Sequence, residues 1–189
     1  MKTKIITLVV LFIFTAVSAA ALDMDVLKGL KKQEVKTDTG SLFKYKSKKA
    51  PQKNFQAGSS ARDFDNSLFY LYIGVKDDKD AFLRMYIQVE PAVDWIKFNK
   101  VIFTADDQTF EREFNVQTLN STMAIRAQFI EFYDEEVMPH EVQIFEKIGA
   151  AKKVTIRFIG KERHQDLKLK KNYCRAITDV LEAWKNLNK

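Results

Sequence analysis

Leu68-Phe69-Tyr70-Leu71-Tyr72-Ile73-Gly74-Val75 is a run of β-formers with apolar side chains on both faces. A strand of that composition is predicted to lie inside a sheet with neighbours on both sides. The next segment, Phe82 to Val89, alternates: Leu83, Met85, Ile87 and Val89 share one face, and Arg84, Tyr86 and Gln88 share the other. A period of two marks a half-buried strand, because successive side chains point to opposite sides. Between the two runs stands Asp77-Asp78-Lys79-Asp80, a turn cluster. Trp95 to Thr104 is predicted as a third strand, Asp106-Asp107 as a turn, and Phe110 to Val116 as a fourth strand. Short connections join antiparallel neighbours, so the stretch 68–116 is expected to form a meander.

Two positions in this stretch break the pattern. Ile96 and Phe98 have one parity, Val101 and Phe103 the other, and a bulge near Asn99-Lys100 would bring all four inward. Arg112 falls on the apolar face of the fourth strand and needs a partner or an edge position there. Downstream, Met123 to Tyr133 alternates as one long strand. Pro139 opens a helix at a position where its missing N–H costs nothing, with Val142, Phe145 and Ile148 recurring along it and Gly149 closing it. Lys153 to Gly160 and Glu162 to Lys170 form a predicted hairpin. Lys171 to Leu187 is predicted as a helix with Tyr173, Ile177, Val180, Leu181 and Trp184 in one apolar stripe. The fold class is α+β: a mainly antiparallel, twisted sheet of the meander type with two helices packed on it.

The chain begins with the marks of export. Lys2 and Lys4 precede an apolar run from Ile5 to Val17, and Ser18-Ala19-Ala20-Ala21 supplies small residues for cleavage. That pattern is a cleaved secretory signal over residues 1–21. The apolar run is too short for a bilayer crossing, which takes about 20 residues, so no transmembrane segment is expected in the mature chain. The expected location is periplasmic or extracellular, in a bacterial context. Cys174 is the single cysteine. An internal disulfide is therefore excluded, and Cys174 is expected to pack beside Ile177 and Leu181 in the core.

Residues 22–62 are expected to form a basic flexible arm, ahead of a single domain over 63–189. Breaker clusters Thr37-Asp38-Thr39-Gly40 and Ala57-Gly58-Ser59-Ser60 punctuate the arm. Only Ser41 to Lys46 offers it an edge strand. The formal net charge of +6 is concentrated here: nine lysines between positions 28 and 54 face only Glu34 and Asp38. The remainder of the chain is close to neutral, which argues against nucleic acid as a partner. Lys28, Lys31, Lys32, Lys44, Lys46, Lys48, Lys49 and Lys53 are the candidate contacts to an anionic envelope surface, each contributing about 1 kcal/mol near such a surface.

Catalytic and cofactor patterns do not emerge. The two histidines, His140 and His164, lack the helical spacing of a zinc motif, and no nucleophile elbow is present. Asp77-Asp78-Lys79-Asp80 and Asp106-Asp107 lack calcium-loop spacing and fit turn chemistry. Glu131, Asp134, Glu135 and Glu136 resemble a solvated strand end. Tyr70, Tyr72 and Tyr86 share a sheet face that could hold a sugar or peptide, although two helices are available to cover it. No cofactor and no metal are expected. The function this supports is a non-enzymatic, envelope-associated binding or interaction module, whose partner is an anionic surface or another exported protein. The alternatives are a carboxylate-based hydrolase acting on an envelope polymer and a proteinaceous inhibitor or immunity-type partner.

Overall fold

A computed structural model describes residues 22–37, 40–51, 67–76, 80–90, 95–114, 123–125 and 128–188. Residues 1–21, read above as an export signal, Lys53 and the Asp77-Asp78-Lys79 cluster lie outside the described residues. The protein is α+β, with antiparallel sheets and two helices. The larger sheet has the order β1-β2-β3-β4-β8-β7, formed by β1 (Lys31–Thr37), β2 (Gly40–Lys46), β3 (Leu68–Lys76), β4 (Asp80–Val89), β7 (Met123–Ile125) and β8 (Gln128–Glu136). The smaller sheet has the order β10-β9-β5-β6, formed by β5 (Lys100–Ala105), β6 (Gln108–Glu113), β9 (Val154–Ile159) and β10 (His164–Leu169). Helix α1 covers Pro139–Ala150 and α2 covers Lys171–Leu187.

Strands β1 to β4 are consecutive antiparallel neighbours, but the meander expected over 68–116 is interrupted after β4. The chain then leaves that sheet. β5 pairs with β6 and with β9 in the second sheet, while β4 pairs with β8. The alternation explains the arrangement: Leu83, Met85, Ile87 and Val89 give β4 one buried face, and a second layer is needed to cover it. Phe69 of β3, Phe103 of β5 and Phe145 of α1 join the layers, with ring centroids 5.4, 5.9 and 5.8 Å apart. Each such pair is worth about 0.5–1.5 kcal/mol beyond its burial. Helix α2 lies against β3 and α1, and its stripe of Cys174, Ile177, Val180 and Leu181 enters the same core. Cys174 is a buried free thiol there, and burial pushes its pKa up.

Three elements differ from their expected form. The basic arm is built into the larger sheet over 31–46, where β1 and β2 form a hairpin in full register and β2 continues onto β3. Ser41 to Lys46 is therefore an interior strand, and β1 is the edge. The single long strand over 123–133 is two: Met123–Ile125 pairs antiparallel with Gln128–Ile130, so the chain reverses without any glycine or proline to announce it.

Residues 95–99, expected in the third strand, carry no ladder. Lys97 has φ 52°, in the left-handed region, and the backbone N–H groups of Ile96, Lys97 and Phe98 converge on one carboxylate. Glu131 accepts all three, at 2.5, 2.9 and 3.0 Å. Turning the chain at Lys97 sends Ile96, Phe98, Val101 and Phe103 all into the core, the result a bulge at 99–100 was expected to deliver. The β9–β10 turn closes over this segment, and only glycine fits at 160, where a Cβ would meet the Ile96 carbonyl oxygen at 1.8 Å.

Candidate functional site: the basic, aromatic face of the larger sheet

The face of the larger sheet that turns away from the core is paved by residues of even number on β3, β4 and β8. Tyr70 stacks on Tyr86 at 5.0 Å, and Tyr86 on Phe132 at 6.0 Å, a ladder across three adjacent strands. Beside it the Phe82 ring lies over Gly74, which is its register partner; a Cβ on Gly74 would fall 2.2 Å from that ring. The helices do not cover this face, contrary to expectation. Phe69, one residue from Tyr70, packs on Phe145 of α1, so the helices occupy the opposite side. The tyrosines are nonetheless enclosed: Tyr72 is 1% exposed and Tyr86 8%. Tyr86 is held between its ladder neighbours, and Tyr72 by a charged cluster.

Asp134 is the centre of that cluster. Its carboxylate accepts from Tyr72 Oη at 2.7 Å, Arg84 Nε at 2.7 Å and Lys44 Nζ at 3.2 Å. Arg84 also donates to the Asp134 backbone carbonyl. Burial opposes ionisation of Asp134, but the bonds from Arg84 and Tyr72 and the charge of Lys44 outweigh it, holding the carboxyl below its ordinary value. Burial, reinforced by the Asp134 charge, pushes the Tyr72 hydroxyl far above its usual range. Burial also lifts Tyr86 to about 12, with Asp134 and Glu90 adding to it. These tyrosines are neutral phenols at any ordinary pH. Their hydroxyls donate to Asp134 and Gln88, and as nucleophiles they are switched off.

The candidate lysines divide among separate places. Lys31 and Lys46 are register partners on the outer face, and Lys44 lies between the same strands on that side. Lys46 stands 5.5 Å above the Tyr70 ring and Lys44 4.6 Å above Tyr72. Lys32 points the other way, 3.8 Å above Phe43. Lys28 pairs with Asp25 at 2.8 Å on a 3₁₀ turn at Met24–Leu27. Lys48 and Lys49 sit in the turn after β2, with Lys49 bound to Asp179 of α2 at 3.0 Å. Sequence position alone grouped them; strand alternation separates them.

The acidic run on β8 is not a solvated strand end. Glu131 is fully buried with its three N–H donors, and Asp134 is engaged on the opposite face. Glu135 shares Arg112 with Glu141, at 3.1 and 3.0 Å. That pair is the partner Arg112 required. Glu141 also accepts the Met138 N–H at the start of α1, at 2.8 Å. Asp106 stands in the β5–β6 turn at φ 52°, as expected, but its carboxylate reaches away from that turn to accept the backbone N–H groups of Lys153 and Lys152 ahead of β9, which hold its pKa down. His140 and His164 are both exposed and lie on separate elements, α1 and β10. Among the described residues no group of histidine, cysteine and carboxylate side chains could hold a metal ion. Met138 is the one large apolar side chain exposed among them. No helix among them is long and apolar enough to cross a membrane.

The sequence reading missed Asp134 and Arg84 as a pair. Alternation placed Arg84 beside Tyr86 correctly, but its partner arrives from a strand 50 residues later. The chain matches no family model, and no curated protein or solved structure matches it either.

Proposed function

We propose that this chain is an exported, envelope-associated binding module without catalytic activity of its own, and that it meets an anionic surface through the outer face of β1, β2 and β3. The observation that carries this reading is the convergence of Lys31, Lys44 and Lys46 on one sheet face, beside a stacked aromatic ladder. Lysine stems and the half-buried Tyr70 ring beneath Lys46 together suit an interface where an apolar layer meets anionic headgroups or polymer phosphates. Asp134 neutralises part of this charge, so the attraction is moderate and salt-sensitive.

The test is co-sedimentation with vesicles of mixed neutral and anionic lipid and with isolated cell wall. The variant Lys31→Ala/Lys46→Ala is expected to lose about 2 kcal/mol, roughly 30-fold in apparent affinity at low salt. Wild-type binding should fade as salt rises to physiological strength. Binding that ignores both the double substitution and salt would refute the reading. Export is tested by N-terminal sequencing of protein recovered from the periplasm or medium, which should begin within a residue or two of Ala21.

A further inference from the structure

On the other side of the molecule, the turn after β2 stands against α2 and leaves an open cleft of about 370 Å³. Its floor is apolar, formed by Val26 and Leu30 from the N-terminal 3₁₀ region and Ala183 from α2. Lys48 lines it from the turn and Glu182 from α2. Asp179 ties the turn to α2, accepting from Ser47 Oγ at 2.6 Å and from Lys49 Nζ at 3.0 Å. Ser47 in turn accepts the Lys49 N–H at 3.1 Å, so the turn is rigid. Asp179 and Lys49 are thus committed to structure. Lys48 and Glu182 are exposed, and neither has a partner among the described residues. Gly29, on the rim, has no atom within 4 Å of where a Cβ would stand, so the cleft is open on that side.

A cation on the turn and an anion on α2 beside one apolar floor, with Asp179 already paired to Lys49, complement a ligand that carries both charges and an apolar body. We infer that this cleft binds a zwitterionic small molecule of amino-acid or dipeptide size: its carboxylate on Lys48, its ammonium on Glu182, and its apolar side chain over Val26, Leu30 and Ala183. Lys48 and Glu182 are both exposed, so each contact adds a modest share of the affinity, and a singly charged ligand forgoes one of the two. The size agrees with small-ligand sites, which begin near 300 Å³. The site is separate from the lysines of the sheet face, and its occupancy does not depend on them.

The experiment is isothermal titration of the purified protein with L-leucine and with leucyl-alanine. N-acetyl-leucine, which lacks the ammonium, and leucinamide, which lacks the carboxylate, serve as comparators. At least one zwitterion should bind saturably, and the matching capped form should bind up to about fivefold more weakly or not at all. Lys48→Ala and Glu182→Ala should each weaken the zwitterion by a similar factor, and Lys31→Ala should leave it unchanged. Because the capped ligands are tested on the wild-type protein, the conclusion does not hinge on any variant folding. No binding by either zwitterion at millimolar concentration overturns the assignment. So does equal binding of capped and free forms, or binding indifferent to both wall substitutions.

Discussion

Replacing Glu131 by alanine removes a buried carboxylate and leaves three backbone donors facing the space it filled. Ile96 and Phe98 are 6% and 0% exposed, so water does not reach their N–H groups in the folded state. Lys97 is exposed, and its N–H can recover part of the loss from solvent. Each buried donor left unsatisfied costs about 1–3 kcal/mol. Counting two in full and one in part gives a loss of about 3–5 kcal/mol, a large share of the ~5–15 kcal/mol that holds an ordinary domain. The left-handed backbone at Lys97, at φ 52°, is held by the same bonds and should relax with them. The assay is urea unfolding followed by tryptophan fluorescence, with Trp95 next to the affected segment. At a slope of about 2 kcal/mol per molar urea, the midpoint should fall by about 1.5–2.5 M. Glu131→Gln keeps one acceptor oxygen but turns an amide donor toward a backbone donor, and should fall roughly halfway. Native-state hydrogen exchange should show the amides of residues 96, 97 and 98 losing protection together. A midpoint shift below about 0.5 M for the alanine variant, with the slope unchanged, would refute the claim that this carboxylate anchors the segment.

Other outcomes follow from the same kind of argument. Asp134 starts from an ordinary value of 3.8 and is lowered in the fold, so its contribution is present above that value and is lost as pH falls below about 4 toward the folded pKa. Urea midpoints of wild type should therefore drop more between pH 5 and pH 3 than those of Asp134→Asn, and parallel curves would show that this cluster does not drive the acid response. Arg112→Leu strands Glu135 and Glu141 near the junction of β8 and α1, and should cost about 3 kcal/mol in thermal or chemical unfolding. The double change of Arg112→Leu with Glu135→Leu should recover part of it, and an equal or larger loss would contradict the pairing. Gly160→Ala drives a Cβ into the Ile96 carbonyl and should cost about 2–3 kcal/mol, whereas a neutral result would place the β9–β10 turn elsewhere. Cys174 should react with a disulfide reagent only at the rate of unfolding, and rapid labelling of native protein would show the α2 face to be open.

Alternation made much of the framework legible. Leu83 to Val89 and Phe103 in the core, the helix opened by Pro139, and the stripe from Tyr173 to Trp184 all follow from side-chain period and capping chemistry. What escaped has a common physical cause. The segment that leads into β5 in the second sheet is held by Glu131, whose N–H partners lie 33 to 35 residues away. The division of the lysines between faces needed the β1–β2 register, and β1 looked like a tether because its own residues are polar. It is held by its neighbour's backbone and not by burial. The reversal between β7 and β8 carries no turn residue at all. Of the candidate site, the tyrosine face was visible in the sequence, and the Asp134–Arg84 pairing that closes it was not.

The smaller sheet has one further consequence, for the time at which this protein can fold. Its two hairpins are separated in the chain by β7, β8 and α1, and they meet only along β5 and β9. A ribosome delivers β3, β4 and β5 well before β9, β10 and α2. Through that interval Phe69, Leu71, Leu83, Met85 and Phe103 have neither Ile156 and Phe158 nor the α2 stripe to lie against. A growing or truncated chain that stops before Val154 is therefore an adhesive half-shell, open to any other unfolded chain. The core is completed only by the β9–β10 hairpin and α2, which supply that missing cover.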